Sequence, residues 1–166
     1  RDLAGVIGQI ISIQEAAGTT ARFRTRYCYF LLNERYDWQS VLDLNSEVEG
    51  ELRYWYNELN SLHERPWAAR AFSEQIRVWS DASSEGYGGY LLDANGQEVQ
   101  VTGVWSGKEV AESSTWRELE AIYRTLKGLE NDLEGHRVKW FTDNRNVVHI
   151  LSCGSKNKKL QQIAVR

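Results

Sequence analysis

The periodicity of the apolar residues changes at residue 75, and that change constrains the fold more than any other feature. Before it, apolar residues recur every three to four positions; after it, they alternate. The stretch I-R-V-W-S-D-A-S-S at 76–84 reads as a short strand. Ile76, Val78 and Ser80 share one face, Arg77 and Trp79 the other, and the apolar run stops at Asp81. A second strand is predicted at 87–92. D-A-N-G follows, in which Asn95-Gly96 is a strong hairpin signal, and 97–105 alternates as a third strand. A helix is predicted over about 115–133, with Trp116, Leu119, Tyr123, Leu126 and Leu133 on its core side and Gly135 as its stop. Val138, Trp140 and Phe141 make a fourth strand that ends at Asp143. A short helix at 144–151, the turn at Gly154-Ser155 and the start of another helix complete the chain. The order β-β-β-α-β-α predicts an antiparallel meander followed by a crossover helix. Strands one and four then lie adjacent and parallel in a mixed sheet.

The first seventy or so residues predict three helices and no strand. Leu3, Val6, Ile7, Ile10, Ile11 and Gln14 form one stripe, ending at Gly18. Thr20 is placed to cap a second helix with Phe23, Tyr27, Phe30 and Leu31 on its buried side. Arg22 and Arg26 stand one turn apart on that helix with Arg24 nearby, a pattern that usually marks a solvated basic face. Residues 38–44 look irregular. Ser46 and Glu49 are spaced as a capping box, and Val48, Leu52, Trp55, Leu59 and Leu62 continue as one apolar stripe that gives out at 63–66.

Composition narrows the function classes. Apolar residues make up 42% of the 166, with seven Trp and eight Tyr, enough for a real core, and one Pro argues against disorder. No secretory signal or membrane span is expected, because Gln9, Ser12 and Gln14 break the longest early apolar run. Cys28 and Cys153 lack metal-ligand spacing and are expected to be reduced, which suits an intracellular protein, cytoplasmic or nuclear. A net charge of −3 means that any nucleic-acid surface must be local.

The predicted topology gathers Asp81, Glu118 and Asp143 at one end of the sheet. Singly, each has a structural explanation. Asp81 can cap the turn after it, Thr115 and Glu118 are spaced as a capping box, and Asp143 precedes Asn144 as a natural N-cap. As a set they are hard to explain as caps. Converging carboxylates repel and call for hard, oxygen-preferring cations, Mg²⁺ or Mn²⁺. Two such ions in a carboxylate cluster suit phosphodiester hydrolysis, with Asp81, on the central strand, as the bridging acid.

The segments W-S-D-A-S-S-E-G-Y-G-G-Y-L, S-S-T-W-R-E-L-E-A-I and W-F-T-D-N-R-N-V-V-H-I-L, in that order, resemble the RNase H domain of retroelement reverse transcriptases. The nearest group is the DIRS-like or Ngaro-like tyrosine-recombinase retrotransposons. The resemblance covers 75–166. It implies an α+β or α/β fold: a small helical thumb- or connection-like module at 1–72, then an RNase H-like mixed sheet with flanking helices at 75–166. It also implies C-terminal incompleteness, since the family adds a fifth strand and a last helix. Asp81, Glu118 and Asp143 match the family's first three metal-binding acids, which implies two-ion hydrolysis of the RNA strand of RNA–DNA hybrids.

On the same resemblance, 6–14 is similar to a thumb helix lying on the hybrid. There Gly8 allows close approach, or simply helix packing. Gln9 and Ser12 become candidate contacts, and Arg22 and Arg26 become phosphate contacts. Lys156, Lys158 and Lys159 are a candidate phosphate grip, with a solvated charge run as the alternative. His149, mid-helix, reads as structural and not as the family's loop histidine. The family usually has a fourth acid on a late helix, but nothing from 144 to 166 is Asp or Glu. The expectation is a segment of a longer polyprotein, with the polymerase palm elsewhere and weak activity of this segment alone. A catalytically inactive module that binds nucleic acid or protein is the competing reading. A transposase or integrase fits less well, because its last acid follows the sheet.

Overall fold

The structure is a computed structural model that describes residues 1–62, 75–93 and 95–166. The chain divides into two compact units. One comprises Arg1–Ala69, Leu151–Gln161 and Val165, the other Arg70–Ile150, Gln162–Ala164 and Arg166. Among the described residues, no helix is long and apolar enough to cross a membrane.

The helical unit opens with α1 (Asp2–Ser12), α2 (Gln14–Ala17), α3 (Thr20–Phe23), α4 (Arg26–Asn33) and α5 (Ser46–Leu62). Where the stripe predicted one helix over 3–17, the backbone breaks at Ile13, and the second predicted helix breaks between Phe23 and Arg26. Hydrophobic period alone does not register such breaks, since the stripe continues through them. Ile7, Cys28, Leu31 and Val48 form one core cluster, and Ile10, Ala17, Ala21 and Trp55 another. The start of α5 corrects the Ser46–Glu49 capping box. Asn45 Oδ1 takes the Val48 N–H at 3.0 Å, while the Ser46 hydroxyl turns to Glu47. The segment around 38–44 is irregular, as expected. The helix end expected at 63–66 lies outside the described residues, as does the Leu62 side chain.

The second unit is built on β1 (Gln75–Ala82), β2 (Gly86–Leu92), β3 (Glu98–Val104) and β4 (Arg137–Phe141). Their order is β3-β2-β1-β4, with β1 antiparallel to β2 and parallel to β4. This is the mixed sheet that the strand order implied. The short α6 (Gly107–Val110) precedes the crossover helix α7 (Ser114–Gly128), and α8 (Glu130–Leu133) follows it. Then α9 (Arg145–Cys153) and α10 (Lys158–Ala164) end the chain. The single helix predicted over 115–133 is broken at Leu129, which is fully buried with Ile76, Val78 and Leu91.

The buried face of α7 is also rotated from the predicted stripe. Leu119, Ala121, Ile122 and Thr125 are buried, and Leu126 is exposed. Two acids, Glu118 and Glu120, are buried on the same helix. Gly89 on β2 lets α7 sit this close to the sheet. A Cβ there would meet the Thr125 side chain at 2.4 Å and the Trp79 carbonyl at 2.9 Å.

Candidate metal centre

β1 and β4 run in parallel with Trp79 opposite Phe141. Two residues further along each strand, that register sets Asp81 level with Asp143. α7 packs against β1 and β2 and brings in Glu118. One carboxylate oxygen from each of Asp81, Glu118 and Asp143 lies within 4.8 Å of the others. The two aspartates are exposed and Glu118 is buried.

None of the three is needed as a cap. The turn after β1 is closed by Ser83, whose Oγ accepts the N–H groups of Glu85 (3.1 Å) and Gly86 (3.0 Å). Asp81 itself takes the N–H of its neighbour Ala82. α7 begins two residues earlier than the Thr115–Glu118 box requires. Ser113 is its N-cap, accepting from Trp116 N at 3.2 Å, which leaves Glu118 inside the helix. At α9 the cap is Asn144, whose Oδ1 receives Asn146 N and Val147 N at 3.0 and 3.2 Å. Each capping duty that could explain an acid is carried out by a neutral neighbour.

The electrostatics of Glu118 follow from this. Its Oε2 is buried without a hydrogen-bond partner. Burial first, then the charges of Asp81 and Asp143, push its carboxyl up to about 7. Glu120, two residues on, is equally buried, but it receives Arg124 at 3.0 Å and Arg166 at 3.2 Å. On one helix, one buried acid has two guanidinium partners and the other faces two carboxylates. A buried carboxylate with one orphaned oxygen, close to two further carboxylates, fits hard divalent cations, which take oxygen ligands and neutralise the mutual repulsion.

A groove of about 950 Å³ borders Asp81 and Asp143. It runs over the sheet face away from α7. Tyr90, Trp79 and Phe141 stack in a row across it, with centroids 4.9 Å apart and planes within 10° at each step. Each of the three strands gives one aromatic residue to this row. Its alignment depended on a register that the sequence does not state.

The other candidate residues lie in the helical unit. Gln9 and Ser12 are exposed on α1, with the Ser12 hydroxyl donating to the Gln9 carbonyl at 2.7 Å. A Cβ at Gly8 would meet nothing within 4 Å, so Gly8 does not serve packing among the described residues. Arg22 donates through Nε to Gln14 Oε1 at 2.8 Å. Arg26 is a structural anchor: Nε and Nη2 both donate to the Cys153 carbonyl, at 2.9 and 2.7 Å. Lys156, Lys158 and Lys159 are exposed, and Lys158 pairs with Glu34 at 3.0 Å. His149, in the sheet unit, is exposed on α9.

A mixed β3-β2-β1-β4 sheet with a crossover helix, carrying acids on β1, on that helix and after β4, is the arrangement of an RNase H-like domain. Residues 71–166 match the model of the RNase H-like domain found in reverse transcriptase, and the chain belongs to that family. Similar solved structures include native prototype foamy virus protease–reverse transcriptase, at 13% identity and TM-score 0.45 over 93% of this chain and 21% of that one. The foamy viral enzyme in its dRH form with double-stranded DNA matches at 13% and 0.44 over 98% and 29%. The same viral enzyme with an RNA/DNA hybrid matches at 12% and 0.44 over 98% and 22%. The chain spans less than a third of each of these. No curated protein matches it.

Proposed function

We propose that this chain is the RNase H segment, with a preceding thumb- or connection-like module, of a retroelement reverse transcriptase, and that it hydrolyses the RNA strand of RNA–DNA hybrids. The carrying observation is the set of three carboxylates, one oxygen of each within 4.8 Å of the others, none needed as a cap, with one Glu118 oxygen buried and unpartnered. Asp81, Glu118 and Asp143 would hold two Mg²⁺ or Mn²⁺ ions. Such ions, when bound, activate a water and stabilise the leaving oxygen of a phosphodiester. The chain's own contribution is positional. β1 and β4 fix the two aspartates side by side, and α7 holds Glu118 in a site where burial strengthens its interaction with a cation.

The domain reading is a helical module at 1–72 and an RNase H-like domain at 75–166. Exposed Gln9 and Ser12 beside open Gly8 support α1 as a surface for the hybrid, with Arg22, Lys156 and Lys159 as phosphate contacts. Arg26 and Lys158 reach phosphate only by leaving the Cys153 carbonyl and Glu34. The motif set favours a DIRS-like or Ngaro-like element, with the polymerase palm supplied by the rest of a polyprotein. Two unbridged cysteines suit an intracellular compartment, cytoplasmic or nuclear.

A second reading, an inactive module that grips duplex nucleic acid or protein, is favoured by the lack of any Asp or Glu from 144 to 166. Calorimetric titration with Mn²⁺ beside a hybrid-cleavage assay separates the two. Binding with even slow cleavage, lost in Asp81→Asn, supports the nuclease. Hybrid affinity with no metal binding supports the module.

A further inference from the structure

One indole N–H ties the Asp81 segment to the strand that leads to Asp143, another ties it to a ring packed against the helix that carries Glu118, and we propose that Trp140 and Trp105 are positioning residues for the carboxylate cluster. The inference rests on the metal reading above. Trp140 lies on β4, three residues before Asp143, and its Nε1 donates to Ser80 Oγ on β1 at 2.8 Å. Ser80 directly precedes Asp81 and is buried. The registered pairing of β1 with β4 ends at Trp79 and Phe141, short of both aspartates. The side-chain bond therefore joins the two strands where the backbone ladder gives out.

Trp105, just past β3, makes the corresponding link toward α7. Its Nε1 donates to the Ser83 carbonyl at 3.1 Å, two residues beyond Asp81, and its backbone N–H donates to the Glu85 carbonyl at 2.9 Å. Its ring is buried edge-on against Trp116, with centroids 6.1 Å apart, two residues before Glu118. Apolar contacts tolerate sliding by a fraction of an ångström. A buried N–H···O bond does not, because lengthening it forfeits the bond and strands a polar group. The Trp140 bond thus fixes the spacing of β1 and β4 beside the two aspartates, and the Trp105 bond holds the segment after Asp81 to a ring packed against α7.

The test is Mn²⁺ titration by calorimetry on the full chain and on Trp140→Phe, Trp105→Phe, Ser80→Ala and Ser80→Thr, with metal-free Tm measured beside it. Groups that orient metal ligands typically control affinity by about 10–100-fold. We expect about a tenfold loss in both Phe variants and in Ser80→Ala, and recovery in Ser80→Thr, which keeps the hydroxyl. If the parent binds Mn²⁺ and the variants bind it as tightly while only Tm falls, the bonds serve stability and the positioning role is overturned. If the parent itself does not bind, the metal reading falls and takes this inference with it. Should a Phe variant fail to fold, the Ser80 pair decides for Trp140, and Trp105→His, which keeps a ring N–H, decides for Trp105 by the same affinity criterion.

Discussion

Each unit of the molecule buries a glutamate with one unpartnered oxygen, and the two are held in opposite ways. In the helical unit, Glu51 on α5 reaches the first turn of α4, where its Oε2 accepts the Cys28 N–H at 3.0 Å. Burial raises its carboxyl, while the N–H groups of Cys28, Tyr27 and Arg26 pull it down. The helix start supplies both donors and the positive end of a dipole, so the acid is a cap delivered from a neighbouring helix. In the sheet unit, Glu118 is as buried but faces Asp81 and Asp143, and two of the three leading influences on it are like charges. A buried acid alone therefore says little about function. Whether its surroundings already compensate its charge is what separates a cap from a ligand.

The largest expected effect tests that distinction directly. Asp81→Asn keeps the shape and removes one charge from the cluster, so Mn²⁺ affinity should fall by two orders of magnitude or more. The metal-free Tm should hold or rise as repulsion is relieved, since the folded site is strained by its own charge. Calorimetry and a thermal melt read both. An Asn variant that binds Mn²⁺ like the parent removes the cluster as the metal site.

Titration comes next. Glu118 carries a carboxyl raised to about 7, so the folded state holds its proton more tightly than the unfolded chain does. Its stabilising contribution is complete below the ordinary carboxyl range and is lost as pH climbs through about 7. The shift corresponds to roughly 3 kcal/mol for the metal-free protein. Glu51 is raised too and contributes with the same sign. Added Mg²⁺ should restore the Tm lost between pH 5.5 and 8 at Glu118 alone, and Glu118→Gln should abolish that Mg²⁺-sensitive part. A melt whose pH dependence ignores Mg²⁺ would make the two glutamates alike. Smaller still, Glu51→Ala leaves the start of α4 unpaired and should cost about 2 kcal/mol by denaturant titration. Its Mn²⁺ affinity should be unchanged, because the lost acid was a cap.

The sheet order and the meeting of three acids were legible because strand alternation and a crossover helix permit few topologies. The I-R-V-W-S-D run put Ile76, Val78 and Ser80 on one face, and all three are buried. What was not legible turned on local backbone geometry. S-S-T at 113–115 offers three N-cap candidates, and S-E-V-E at 46–49 looks like a box although Asn45 is the cap. The choice depends on which residue adopts extended dihedrals, as Ser113 does at φ −65° and ψ 155°. The rotation of α7 was hidden for a different reason. An apolar count treats Glu118 and Glu120 as solvent-facing, yet one is paired with two arginines and the other turned toward the aspartates. The indole bonds of Trp105 and Trp140 join residues 22 and 60 positions apart, beyond any local pattern.

The smallest effect bears on whether Glu118 is a cap after all. Ser113 Oγ already takes the Trp116 N–H, so Ser113→Ala should lower stability by about 1 kcal/mol. Thr115→Ala, one position inside the helix, should stay within about 0.5 kcal/mol, as surface changes away from caps usually do. Were the reciprocal box formed instead, the order would reverse. Thr115→Ala would carry the penalty, and Glu118→Gln, which can still accept the N-cap N–H, would be nearly silent in metal binding. The two serine and threonine variants therefore judge the acid without touching it. If Ser113 bears the cost, the helix has its cap, and capping no longer accounts for the burial of Glu118 among like charges.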